Sequence, residues 1–234
     1  MDLSTVRFGV GFHGLSTAPT GDRDMCIMEA VAYMAGEEWS DSPECASPVV
    51  SAFLRLWNDG LSNEDRDRLL PAAVWVPRLV GSRGDSAVEK RRAYLALDWL
   101  VRVHTPAWFD LTPSLAPHAA ALRALPEVVD PHTVQEANAV LQAAWDAASA
   151  AAWDASAREA ASASAREAAR EAASASARDA AWDAAWDAAS AAGNATWAAA
   201  GVALHPTVET LQQSALDLLD RMLACGEHRR EGER

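Results

Sequence analysis

From Arg158 to Asn194 every fourth residue is Arg, Ser, Trp or Asn, and Ala fills most of the gaps. No other feature constrains the fold as strongly. An α-helix turns once in about 3.6 residues, so a stripe with a period of four drifts by about 40° per step. Over the nine steps between these residues the stripe circles a regular helix about once. One straight helix therefore cannot keep these side chains on one face. Either the region is broken into shorter helices, or its Ala positions meet different neighbours along its length, where small side chains let helices approach closely. Ser162, Ser164, Ser174 and Ser176 lower helix propensity at two places and mark the expected bends. Residues 143–192 are accordingly expected not to form one exposed, straight helix. Trp145, Trp153, Trp182 and Trp186 either fill gaps between Ala-lined helices or form an aromatic binding surface.

The rest of the chain is punctuated by helix caps. Asp24 can cap "MCIMEAVAYMA", with Gly36 placed to end it. Ser47 and Pro48 open "VVSAFLRLWND", closed by Gly60. Ser62 with Asp65 resembles a capping box, and Pro71 starts a helix through Val80. Ser86 with Glu89 makes a second box for "AVEKRRAYLALDWLVRVH", which Pro106 should end. Thr112-Pro113 opens a helix through Leu125, and Asp130-Pro131 opens the Ala-rich region. A last amphipathic helix, 207–224, carries Leu211, Leu218, Leu219 and Met222 on one side. No run combines period-two alternation with β-branched enrichment. The reading is an all-α, multi-helix bundle or array: an irregular arm over 1–21, a helical region over 22–130, and an Ala/Trp-rich helical region over 131–234 packed on it as one unit.

Half of the residues are hydrophobic, but much of that half is Ala, so the ten Trp supply the bulk. A formal charge of −13 argues against nucleic acid as a partner, because phosphate contacts need a basic face. Lys90 is the single lysine among twenty cationic side chains. Three cysteines without regular spacing make a poor disulfide framework and suit a reducing cytoplasm. No uninterrupted apolar run reaches membrane-spanning length, and the N-terminus lacks a signal-peptide layout. A cytoplasmic, soluble protein without a membrane partner is expected.

The segment "CIMEAVAYMAGEEWSDSPECASPV", with "YLALDWLVRVHTPAWFDL" downstream, resembles uncharacterised proteins encoded by actinobacteria and their phages, over roughly residues 20–125. The Ala-rich part, with "AAWDAAWDAA", resembles the repeats of bacterial proteins classed as immunity proteins. The resemblance implies an origin and carries no catalytic residues.

Candidate chemistry centres on the N-terminal half. Cys26 falls near a helix start, where the macrodipole would stabilise a thiolate. Glu29 and Tyr33 share its face on an otherwise apolar helix, and a carboxylate there must be paired or functional. The structural alternative pairs Glu29 with an Arg from a neighbouring helix. Asp98 and Arg102 have the spacing of a helix ion pair, or belong to a polar cluster with Glu29 and Arg78 lining a cavity. In the loop "VGSRGDS" two glycines flank Arg83, which suits an anion site or an ordinary turn. Asp41, Glu44 and Cys45, with Cys26 and His13, lack any metal-ligand spacing, so neither a metal nor a cofactor is expected. A catalytic pairing of Cys26 with His104, His118 or His132 is the enzymatic alternative.

The leading expectation is a non-enzymatic helical binding protein of the immunity or phage counter-defence type. It would occlude a protein partner or sequester a small ligand through Glu29, Tyr33, Arg78, Arg83, Asp98 and Arg102. The alternatives are a cysteine-dependent hydrolase using Cys26, and a scaffold that self-associates through its Ala-rich face.

Overall fold

The caps read from the sequence place most of the helices. In the computed structural model, which describes residues 2–11, 13, 23–150 and 205–232, helices follow one another closely. They are α1 (Ile27–Ala35), α2 (Pro48–Gly60), α3 (Asn63–Leu69), α4 (Ala72–Leu79) and α5 (Ser86–Trp99). A π-helical turn (Leu100–His104) then leads into α6 (Thr105–Phe109), α7 (Ala116–Arg123), α8 (Pro131–Ala150) and α9 (His205–Gly232). The fold is all-α. Among the described residues no helix is long and apolar enough to cross a membrane. The expected bends at Ser162–Ser164 and Ser174–Ser176, and Trp153, Trp182 and Trp186, lie outside the described residues. Trp145, on α8, is partly buried against the core.

Ser47 Oγ accepts from Val50 N, Ser62 Oγ accepts from Asp65 N, and Gly36 closes α1 with φ of 70°. Two caps differ from expectation. Cys26, not Asp24, is the N-cap of α1: its sulfur accepts from Glu29 N while Glu29 reaches back to Cys26 N. Asp85, not Ser86, caps α5 and accepts from both Ala87 N and Val88 N.

Pro106 does not end its helix. Its ring lacks an N–H and would crowd the carbonyl one turn back. The preceding turn widens to a π geometry, with Thr105 N donating to Leu100 O, and the helix runs on into α6. The α7 helix also begins later than expected, at Ala116, after a turn anchored by fully buried Leu115. The α9 helix is longer than the expected 207–224, and Leu211, Leu218, Leu219 and Met222 on it are buried as anticipated.

The α5–π–α6 rod is the spine. The α9 helix packs on α5 and reaches α2 and α6, α1 packs on α2 and α4, and α8 packs on α7. Phe53 lies between Trp57 and Trp99, tilted against the first and edge-on to the second, with centroids 5.7 and 6.1 Å away. The irregular arm is tied on by two backbone bonds, Gly9 N to Met25 O and Arg23 N to Arg7 O, both 2.8 Å. Phe8 between them is buried.

Buried arginines fix the joints between these layers. Arg92, 1% exposed, donates to Met222 O on α9, to Ser82 O and to Glu89. Arg66, also 1% exposed, donates to the carbonyls of Asn58 and Leu61 and to Asn63. A guanidinium can span such gaps because its five donors point in a fixed fork.

Candidate functional site

The α5 helix presents Ala87, Lys90, Arg91, Tyr94 and Leu95 along one face, at the three- and four-residue spacing that aligns helical side chains. Across from it run Glu127 to Pro131 and, on α9, Arg221, Ala224 and Cys225. Together they line a half-open groove of about 700 Å³. That volume is within the usual range for small-molecule sites, and its walls are mainly apolar with a few polar groups.

The two walls facing α5 are anchored from below. Asp98, 1% exposed, receives the backbone N–H of Val128 at 2.9 Å and the Nε of Arg102 at 2.7 Å. Arg102 also donates to Leu125 O at 3.0 Å. This pair therefore sets the position of the 127–131 wall. The α9 wall is set by Arg92, whose Nε holds Met222 O at 2.8 Å.

The charges in the groove are unequally committed. Glu127 takes Arg221 at 3.1 Å. Asp130 accepts from Thr133 N at 2.8 Å as it caps α8, and those hydrogen bonds hold its carboxyl below the ordinary aspartate range. Lys90 lies over the Tyr94 ring, 5.8 Å from its centroid. Burial, and then Asp130, push the Tyr94 phenol up. Arg91 makes no ion pair among the described residues.

The residues singled out from the sequence do not converge on one cavity. Glu29 is fully buried under the arm, and its partner is not an arginine. Its Oε1 accepts from His13 N at 2.6 Å and Trp39 Nε1 at 3.0 Å; its Oε2 accepts from Cys26 N at 2.6 Å and His13 Nδ1 at 3.0 Å. Tyr33, on the same helix, is exposed. Arg78 stacks over Trp75 and pairs with Asp220 at 2.7 Å, and does not join Glu29. Arg83 donates to Glu44 O at 2.8 Å and its own N–H to Cys45 O, so the glycine loop serves as a helix–helix turn. Asp98 and Arg102 form the expected ion pair and bear on the groove only through the wall they hold.

Cys26 is buried, and its surroundings disfavour a thiolate. Burial, and then the Glu29 carboxylate, push its thiol far above the ordinary range, which outweighs the helix dipole. Among the described residues it bonds none of the candidate bases: His104 is buried against Trp99 and Trp108, His118 lies in the first turn of α7, and His132 sits near Glu136 on α8.

Sequence reasoning missed Lys90, Arg91, Tyr94 and Val129. A signal for the two cations was present: in "AVEKRRAYL" neither has an acid three or four residues away on its helix, whereas Arg92 has Glu89. No family model, curated protein or solved structure matches the chain.

Proposed function

We propose that the chain is a binding protein that sequesters a small ligand in the groove between α5, residues 127–131 and α9. The observation that carries this reading is the groove itself: about 700 Å³, apolar-walled, with cations on its rim and both walls fastened by buried ion-paired side chains. Fastened walls favour affinity, because less ordering is needed on binding. An immunity or counter-defence role, in which the ligand or a protein bound over the same face is withheld from another system, goes with this reading and rests on the sequence resemblance alone. The hydrolase alternative is set behind this reading because burial and the Glu29 carboxylate push the Cys26 thiol up.

The test is native mass spectrometry of the full-length protein purified from its own host, beside Ala224→Trp, which fills the groove. A retained small mass that disappears in A224W supports sequestration. A retained protein partner, unaffected by A224W, replaces it with the occlusion reading.

A further inference from the structure

Resting on that binding reading, we infer that the ligand is an amphipathic anion, with a carboxylate or phosphate head held by Lys90 and Arg91 and an apolar body laid against Leu95, Val128 and Val129. The argument begins with the inventory of cations. Arg7 and Arg23 share Asp67, Arg55 has Asp41, Arg68 has Asp65, and Arg78 has Asp220. Arg92, Arg102, Arg123 and Arg221 pair with Glu89, Asp98, Asp110 and Glu127. Arg66 and Arg83 are bonded to backbone carbonyls. Of the described lysine and arginine side chains, only Lys90 and Arg91 bond no oxygen of a described residue.

An exposed cation without a partner is ordinary by itself. Here three circumstances set these two apart. The chain carries −13, so acids are in excess and an unpaired cation is the scarcer state. The two are adjacent, and both stand on the wall of the described groove. The acids of that groove are already committed, Glu127 to Arg221 and Asp130 to the start of α8. Lys90, Arg91 and Arg221 outnumber Glu127 and Asp130 among the lining residues, so the local sign is positive inside an acidic molecule, which draws an anion to this place and away from the rest of the surface.

The remaining lining selects the other end of the ligand. Val129 is 51% exposed, a large share for a β-branched side chain, and it stands beside buried Val128. The aliphatic stems of Lys90 and Arg91 add apolar area beneath their charged ends. Arg can grip a carboxylate or phosphate with two parallel hydrogen bonds, and Lys adds a point charge. A free amphiphile is favoured over one embedded in a bilayer, because an anionic membrane surface repels a protein of this net charge.

Calorimetric titration of the full-length protein with dodecanoate, dodecyl phosphate and dodecanol, each below its aggregation concentration, tests the inference. The anions should bind wild type at least about tenfold more tightly than dodecanol, and K90Q/R91Q should lose about that factor for the anions alone. Thermal melting should be the same for wild type and K90Q/R91Q, since both side chains are exposed. Dodecanol binding as tightly as dodecanoate, or K90Q/R91Q binding the anions unchanged, overturns the anionic head while leaving a ligand groove in place. Absence of binding by all three, together with no retained mass in the native spectrum, overturns the groove reading with it. Co-flotation with phosphatidylglycerol vesicles overturns the free amphiphile.

Discussion

His13 grips Glu29 twice: its backbone N–H donates to Oε1 at 2.6 Å and its Nδ1 lies 3.0 Å from Oε2. With Cys26 N and Trp39 Nε1 also donating, this wholly buried carboxylate has four donors and ties the arm, the start of α1 and the segment after it. A carboxylate with its acceptor positions filled can be buried without a cationic arginine.

Glu29→Ala should therefore destabilise the protein by about 2–4 kcal/mol, because it strands several buried donors. Glu29→Gln should lose about half as much, since its NH₂ faces donors on one side. Urea denaturation with an unchanged slope is the measurement. A midpoint unchanged in E29A would show that water re-pairs the donors and that the arm does not depend on this residue.

Cys26 should resist alkylation at neutral pH. Its thiol is pushed up by burial and by Glu29, and it is 3% exposed. Iodoacetamide on native protein should label Cys225 and Cys45, which are partly exposed, and spare Cys26 until denaturant is added. Fast labelling of Cys26 by peptide mapping would restore the nucleophile that the structure argues against.

The fold was legible where side chains act on their own backbone. Ser47, Ser62 and Gly36 end or begin helices through bonds made within a few residues, so they can be read from order alone. Pro106 was misread because the remedy, a widened turn over Leu100–His104, belongs to the packed rod and leaves no residue signature. Glu29 stood out as a carboxylate that must be paired or functional, yet its partner His13 is sixteen positions away in an irregular arm with no periodicity to follow. The groove was least legible: its walls come from α5, 127–131 and α9, which are distant in sequence, and only the missing acid neighbours of Lys90 and Arg91 hinted at it.

Asp65 links acid sensitivity to the docking of α9. Burial pushes its carboxyl up, but bonds from Arg68 and Ser62 outweigh that and hold it below the usual aspartate range. Arg68 in turn donates to Gln212 on α9 at 2.7 Å. A carboxyl lowered by folding stabilises the fold above its unfolded value of about 4 and loses that contribution as pH falls through the folded value. Asp65→Asn should thus be less stable than wild type at pH 7, with the gap closing below about pH 4. Urea midpoints across that range decide it; a gap independent of pH would mean the loss is steric or due to the cap alone.

Asp98 and Arg102 should behave as one unit. Asp98 is 1% exposed and holds both Arg102 and the N–H of Val128, so Asp98→Ala leaves a guanidinium and a backbone donor without their acceptor, a loss of about 3 kcal/mol. Arg102→Ala removes the more exposed partner and its bond to Leu125 O, and should cost about 1–2 kcal/mol. Because both act on the same segment, the double variant should lose about 1 kcal/mol less than the sum. The consequence reaches the groove, whose 127–131 wall hangs from these bonds: at temperatures where D98A remains folded, it should bind dodecanoate more weakly than wild type although Asp98 does not line the cavity. Strict additivity in the cycle, or unaltered ligand affinity in folded D98A, would show that the wall is held by its own apolar packing and that the ion pair is incidental to it.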